Sequence, residues 1–276
     1  MPTAYVNGIY VDYKVQGEGE PLILIMGLTG GKDHWFFQMR SFRKHYRVIT
    51  FDNRGTGNTT INTGEFYNIR AMADDTIGLM DYLNIDKAHI LGMSLGSLIA
   101  QELAINYPNR VKKLILVAAY AVGEEMREIS EGMRSALGLE EDYSEEEARN
   151  ALNNMDITRF FTRVTALSFN KRWCRLIFVS TTKIYAKAKR LPCQGIMGQI
   201  QASANCETLS KLHTIEAPTL VLVGAEDRIM PPHASDVIAS KIPNSKLVKV
   251  EGGSHAFYIE SFRRFNKEVL DFLRDS

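Results

Sequence analysis

"HILGMSLGSLIA", residues 89–100, sets Ser94 between Gly92 and Gly96 where a short apolar run passes into a stretch of helical periodicity. A strand that turns at once into a helix reverses within a residue or two, crowding the backbone of the turning residue against both neighbours. Glycine two positions before and two after removes the side chains that would collide there. The turn throws the Ser94 hydroxyl past the carboxyl end of the strand. It lands beside the first N–H groups of the helix, which lack intrahelical acceptors and point toward any developing negative charge. The Leu95 amide is therefore an expected half of an oxyanion hole. A simple tight turn is the other reading of the same glycines; a buried strand before and an apolar-periodic helix after favour the reactive one.

Working outward, strand and helix signals alternate on both sides. "TAYVNGIYVDYKV" (3–15) reads as two strands joined at Asn7-Gly8, a dipeptide suited to the positive φ of a tight hairpin turn. "PLILIMG" (21–27) and "YRVITFD" (46–52) are apolar without alternation, as strands covered on both faces are. Helical stretches are expected at 32–45, 68–83, 96–108, 233–242 and 258–275, and further strands at 88–93, 111–120, 217–227 and 245–253. This order implies an α/β fold with a mostly parallel sheet of about eight strands and helices on both faces. The rhythm breaks over 122–212, which reads as a helical insertion dividing a core of residues 1–121 and 213–276. Within it, Ser144 and Glu147 stand in capping-box register.

The composition excludes several classes. Over 276 residues, 33 Lys and Arg oppose 32 Asp and Glu, so no global field draws in nucleic acid or an anionic membrane. The amino-terminal residues lack a basic segment followed by an apolar one, and no apolar run is long enough to span a bilayer. A cytoplasmic location is the expectation. Cys174, Cys193 and Cys206 lack metal-site or disulfide spacing and read as reduced, packed thiols.

A serine hydroxyl is a weak nucleophile near neutral pH, so a reactive Ser94 requires a histidine base and an acid to orient it. Of six histidines, His34, His45, His89, His213 and His233 sit in or beside predicted elements. His255, in "EGGSHAF", follows the last predicted strand on a glycine-loosened loop, at the same sheet edge as Ser94. The loop after "LVLVG" offers Glu226 and Asp227 as the acid; Asp227 is the choice, Glu226 the runner-up, and Glu124 comes third. Ser, Asp and His then follow one another along the chain, each just past a strand.

These motifs resemble the alpha/beta-hydrolase superfamily from about residue 5 to the carboxyl terminus, and the helical insertion is similar to its cap domain. "IMGLTGGKDHW" looks like the oxyanion loop after the third strand, which makes Leu28 N–H the second donor. Met26 stands where histidine is usual; since the donor is backbone, the departure bears on how the loop is braced. "FDNRGTGNT" (51–59) is similar to the stretch after the fourth strand and reads as loop architecture. An aspartate nucleophile, used by the dehalogenase and epoxide hydrolase branches, is replaced here by Ser94. Similarity is therefore to the serine esterase, enol-lactonase and carbon–carbon hydrolase group.

The resemblance implies a carboxylesterase or lactonase acting on a small, largely apolar ester or lactone through an acyl-enzyme on Ser94, without metal or organic cofactor. A carbon–carbon hydrolase of vinylogous diketones and a non-catalytic ligand sensor are the alternatives. Met93, Tyr120, Phe161, Trp173, Ile229 and Phe257 are candidates for an apolar pocket between sheet edge and cap. The Lys and Arg residues between 172 and 190 read as a solvated helix face more readily than as an acid-binding one.

Overall fold

The computed structural model describes residues 2–60, 67–123, 131–142, 144, 146–147, 150–151, 154–187 and 193–275. Eight strands form one sheet: β1 (Thr3–Val6), β2 (Ile9–Gln16), β3 (Pro21–Ile25), β4 (Arg47–Phe51), β5 (Ala88–Met93), β6 (Val111–Val117), β7 (Thr219–Gly224) and β8 (Ser245–Val250). Their order is β1-β2-β4-β3-β5-β6-β7-β8. β1 and β2 form an antiparallel hairpin, β2 joins β4 antiparallel, and every pairing beyond is parallel. The hairpin turn holds Asn7 at φ 47° and Gly8 at φ 79°, the left-handed pair its dipeptide suggests.

Ten helices are described: α1 (Phe36–Phe42), α2 (Ile69–Tyr82), α3 (Leu95–Asn106), α4 (Glu131–Leu137), α5 (Ile157–Leu167), α6 (Arg172–Lys187), α7 (Cys193–Ala204), α8 (Pro232–Lys241), α9 (Phe257–Glu260) and α10 (Phe262–Arg274). The Asn68 side chain caps α2 by accepting from Ala71 N–H at 2.7 Å. The expected single helix at 258–275 is two, because Ser261 leaves helical geometry at φ −125°, ψ 36°. None of the described helices is long and apolar enough to cross a membrane.

Why the central strands lack alternation is visible in the packing. Ile23, Ile25, Ile90, Leu114 and Leu116 face a core shared with α2, α3 and α8. Their neighbours Leu22, Leu24, Leu91, Ile115 and Val117 face a second core, shared with α1, α9 and α10. Successive side chains point to opposite faces, and both faces are covered, so both sets are apolar.

Between β6 and β7 the described residues form helices and no strand. Ala136, Phe160, Phe161 and Ile196 from α4, α5 and α7 make a small core of their own. The capping box is present: Ser144 N–H donates to the Glu147 carboxylate at 2.7 Å and Glu147 N–H to Ser144 Oγ at 3.2 Å. Cys174 and Cys206 are free thiols, and burial pushes Cys206 up to about 12. The Cys193 side chain lies outside the described residues.

One ion cluster ties the amino-terminal strands to the loop after β3. Lys32 Nζ lies 2.8 Å from both Asp12 and Asp52, and all three side chains are buried. Asn58 adds a bond to Asp12 at 2.8 Å. Lys32→Met leaves two carboxylates facing each other without a cation. The expected cost is about 3–5 kcal/mol, read as a lower urea midpoint at an unchanged slope. A midpoint equal to wild type would mean the cluster contributes nothing to stability.

Candidate active site

Ser94 stands between the last residue of β5 and the first of α3, with φ 53° and ψ −120°. A non-glycine side chain is rare in this backbone region, and the strain is of order 1–3 kcal/mol. The surroundings impose it. A Cβ on Gly92 would strike the Gly96 carbonyl, and one on Gly96 would strike the Ile25 carbonyl. Ser94 N–H donates to Val117 O at 2.9 Å, anchoring the turn to β6. Leu95 N–H is the first of α3 and has no intrahelical acceptor.

Asp227 and His255 come from the loops after β7 and β8, which are locked backbone to backbone. Ala225 N–H donates to Val250 O at 2.9 Å and Glu226 N–H to Gly253 O at 2.8 Å. The approach is so close that a Cβ on Gly224 would meet the carbonyls of Gly253 and Ser254. One oxygen of the buried Asp227 carboxylate accepts from Ile229 N–H and Met230 N–H, each at 2.8 Å. The other lies 2.8 Å from His255 Nδ1. A carboxylate fixed as acceptor on both oxygens puts the imidazole proton on Nδ1 and leaves Nε2 as the basic nitrogen.

Ser94 and His255 line one cavity of about 260 Å³. Glu226, the runner-up acid, turns away and accepts from Asn170 Nδ2 at 2.9 Å. Glu124 lies outside the described residues. Leu28 and Leu95 both line the cavity beside Ser94. The loop carrying Leu28 is braced by Asn53, whose Nδ2 donates to Met26 O at 2.8 Å, and by Lys32 N–H on the Asp52 carboxylate at 2.8 Å. The stretch 51–59 thus braces the loop that carries Met26 and Leu28. Gln199 of α7 adds a third brace, donating to Arg54 O at 2.9 Å and accepting from Thr29 N–H at 3.5 Å.

Met93, Tyr120, Phe161 and Ile229 line the cavity, but two expected residues do not. Trp173 is exposed on the outer edge of α6, about 140° around the helix from Phe178 at 100° per residue. Phe257 is buried beneath α9, edge-on to Phe265 with ring centroids 5.6 Å apart, while Tyr258 and Ile259 face the cavity. Composition misses the inner faces of the insertion: Phe160, Val164 and Ser168 follow one another every four residues, as do Phe178 and Thr182. That spacing is the signal that could have found them. Among the described residues the lining contains no Lys, Arg, Asp or Glu. Arg172, Arg175 and Lys183 are exposed instead.

The comparisons agree on the architecture. The putative carbamate hydrolase RutD of Caulobacter sp. (strain K31) is 27% identical, over 99% of this chain and 98% of that protein. The meta-cleavage product hydrolase CumD of Pseudomonas fluorescens IP01 superposes with a TM-score of 0.79 at 25% identity, covering 99% of this chain and 97% of that one. A thermophilic esterase from Thermogutta terrifontis gives 0.79 at 26% identity, over 99% and 96% of the two chains. The family model for the alpha/beta hydrolase fold matches residues 20–262. With a strained serine at the strand-to-helix turn and a paired acid and imidazole on the neighbouring loops, the chain belongs to the alpha/beta hydrolase family.

Proposed function

We propose that this chain is a serine hydrolase of small, uncharged, largely apolar carboxylic esters or lactones. The observation that carries this reading is the His255–Asp227 pair, 2.8 Å apart, with His255 lining the same cavity as Ser94. His255 Nε2 takes the Ser94 proton as Oγ attacks the carbonyl carbon, and the Leu28 and Leu95 amides receive the charge on the oxygen. The tetrahedral intermediate collapses, His255 returns the proton to the departing alcohol, and an acyl-Ser94 ester remains. Water, deprotonated by the same nitrogen, releases the acid and restores Ser94. Asp227 keeps Nδ1 protonated and stabilises the imidazolium formed in each half.

Among the described residues the lining carries no Lys, Arg, Asp or Glu, which supports a neutral substrate, since a buried carboxylate without a cation is costly to bring in from water. Carbon–carbon cleavage of a vinylogous diketone is the alternative, and the resemblance to CumD makes such a diketone a substrate to assay beside the esters. A carbamate, the substrate class in the name of the RutD relatives, presents the same carbonyl to the same groups and belongs in the same assay.

Three measurements test the reading. With p-nitrophenyl esters of increasing acyl length, the wild-type chain gives repeated turnovers and Ser94→Ala gives none above background. A Ser94→Ala protein that turns over at the wild-type rate sinks the assignment, and tight ligand binding without turnover by the wild type points to a sensor. Asp227→Asn lowers kcat by roughly 10³–10⁴ with KM little changed. Glu226→Gln leaves kcat nearly unchanged, and the reverse pattern for these two would exchange their roles.

A further inference from the structure

Helix α6 presents two distinct edges. Cys174 is buried on the inner one, and Phe178 and Thr182, at four-residue intervals from it, line the cavity. The outer edge carries Trp173, Leu176, Ile177 and Ile184, which are 58%, 59%, 55% and 67% exposed. Viewed down the axis these four share an arc about 100° wide, the width of stripe that a helix ordinarily buries. Scattered apolar side chains on a surface need no explanation, but these make up half of the large exposed hydrophobics among the described residues.

Along one border of this arc stand Arg172 and Lys183, both exposed; Arg175, also exposed, lies about 100° outside it. The surrounding sequence is one-signed: residues 157–206 contain nine Lys or Arg and no Asp or Glu. The acids of the insertion fall outside this window, within residues 124–156 and at Glu207. A chain of net charge +1 therefore carries a strongly cationic, apolar-striped helix on its cavity wall.

We propose that this face of α6 docks on an anionic lipid surface. A tryptophan and three aliphatic side chains bordered by Arg172 and Lys183 are the chemistry of a helix lying in the headgroup layer. Each cation brought to such a surface strengthens binding roughly fivefold. A second copy of this chain is the poorer occupant, because a two-fold contact through this face sets its cations against themselves. Docking brings the lipid against the outer side of the helix whose inner side lines the cavity. The proposal stands on the surface of α6 alone and not on the hydrolytic reading.

The chain has two tryptophans, and Trp35 is fully buried, so a change in emission on adding vesicles reports Trp173. At low salt we expect a blue shift and co-sedimentation with vesicles of equal phosphatidylglycerol and phosphatidylcholine, and neither with phosphatidylcholine alone. Salt weakens the interaction. The double variant Arg172→Glu, Lys183→Glu lowers the affinity at least about 25-fold, and Leu176→Ser with Ile177→Ser lowers it at least about tenfold. All four positions are exposed, and circular dichroism checks that each variant is folded. Absence of co-sedimentation with the anionic vesicles overturns the proposal. So does binding that both variants leave intact, or a concentration-dependent dimer in sedimentation velocity that these substitutions abolish while vesicles bind nothing. None of these readouts involves turnover, so their failure leaves the hydrolase reading untouched.

Discussion

Ser94 is held in a left-handed backbone conformation between two elements that are themselves immovable. β5 is hydrogen-bonded on both sides by β3 and β6, and α3 packs beneath it with nearly every residue of its first two turns buried. Neither element can shift to relax the turn, so the strain persists, and with it the exposure of the hydroxyl at the sheet edge. The same turn places Leu95 at the cavity. The positions of Ser94 and of half of the proposed anion site are thus one constraint, set by two glycines and a parallel sheet.

A second constraint fixes what faces the serine. The loops after β7 and β8 are laced by backbone bonds, so Asp227 and His255 move as a unit. The insertion is fastened to that unit by a further set of contacts. Ser168 O accepts from Ala256 N–H at 2.9 Å, Asn170 reaches Glu226, and the buried Glu260 carboxylate accepts from Lys171 N–H at 2.6 Å and Ser254 Oγ at 2.5 Å. The roof of the cavity and the imidazole are therefore positioned by overlapping sets of bonds. Charged groups at this junction are satisfied locally and kept off the cavity lining, which preserves its apolar character.

Much of this was legible in the chain. Continuous apolar strands, the Asn7-Gly8 turn, and the serine flanked by glycines are local signals, and each reports a local geometric need. The serine, acid and histidine could be ranked because each follows a strand. The choice between Glu226 and Asp227 could only be ordered, since adjacent residues in a loop diverge according to backbone bonds that sequence does not display. Trp173 and Phe257 lie off the cavity for a related reason: an aromatic residue advertises burial or contact, while the phase of its helix decides which neighbour receives it. Whole-chain charge gave no hint of the cationic face of α6, because a sum discards position.

The sequence alone determined the order of strands and helices, the strand-to-helix turn at Ser94 and the sheet edge that Ser94 shares with His255, because periodicity and glycine placement act over a few residues. Tertiary structure alone decided which carboxylate meets His255, what braces the loop at Met26, and which side of each insertion helix faces the cavity. Those outcomes depend on pairings between residues distant in the chain, such as Asn53 with Met26 and Gln199 with Arg54. Their partners become neighbours only once the sheet and its insertion have packed.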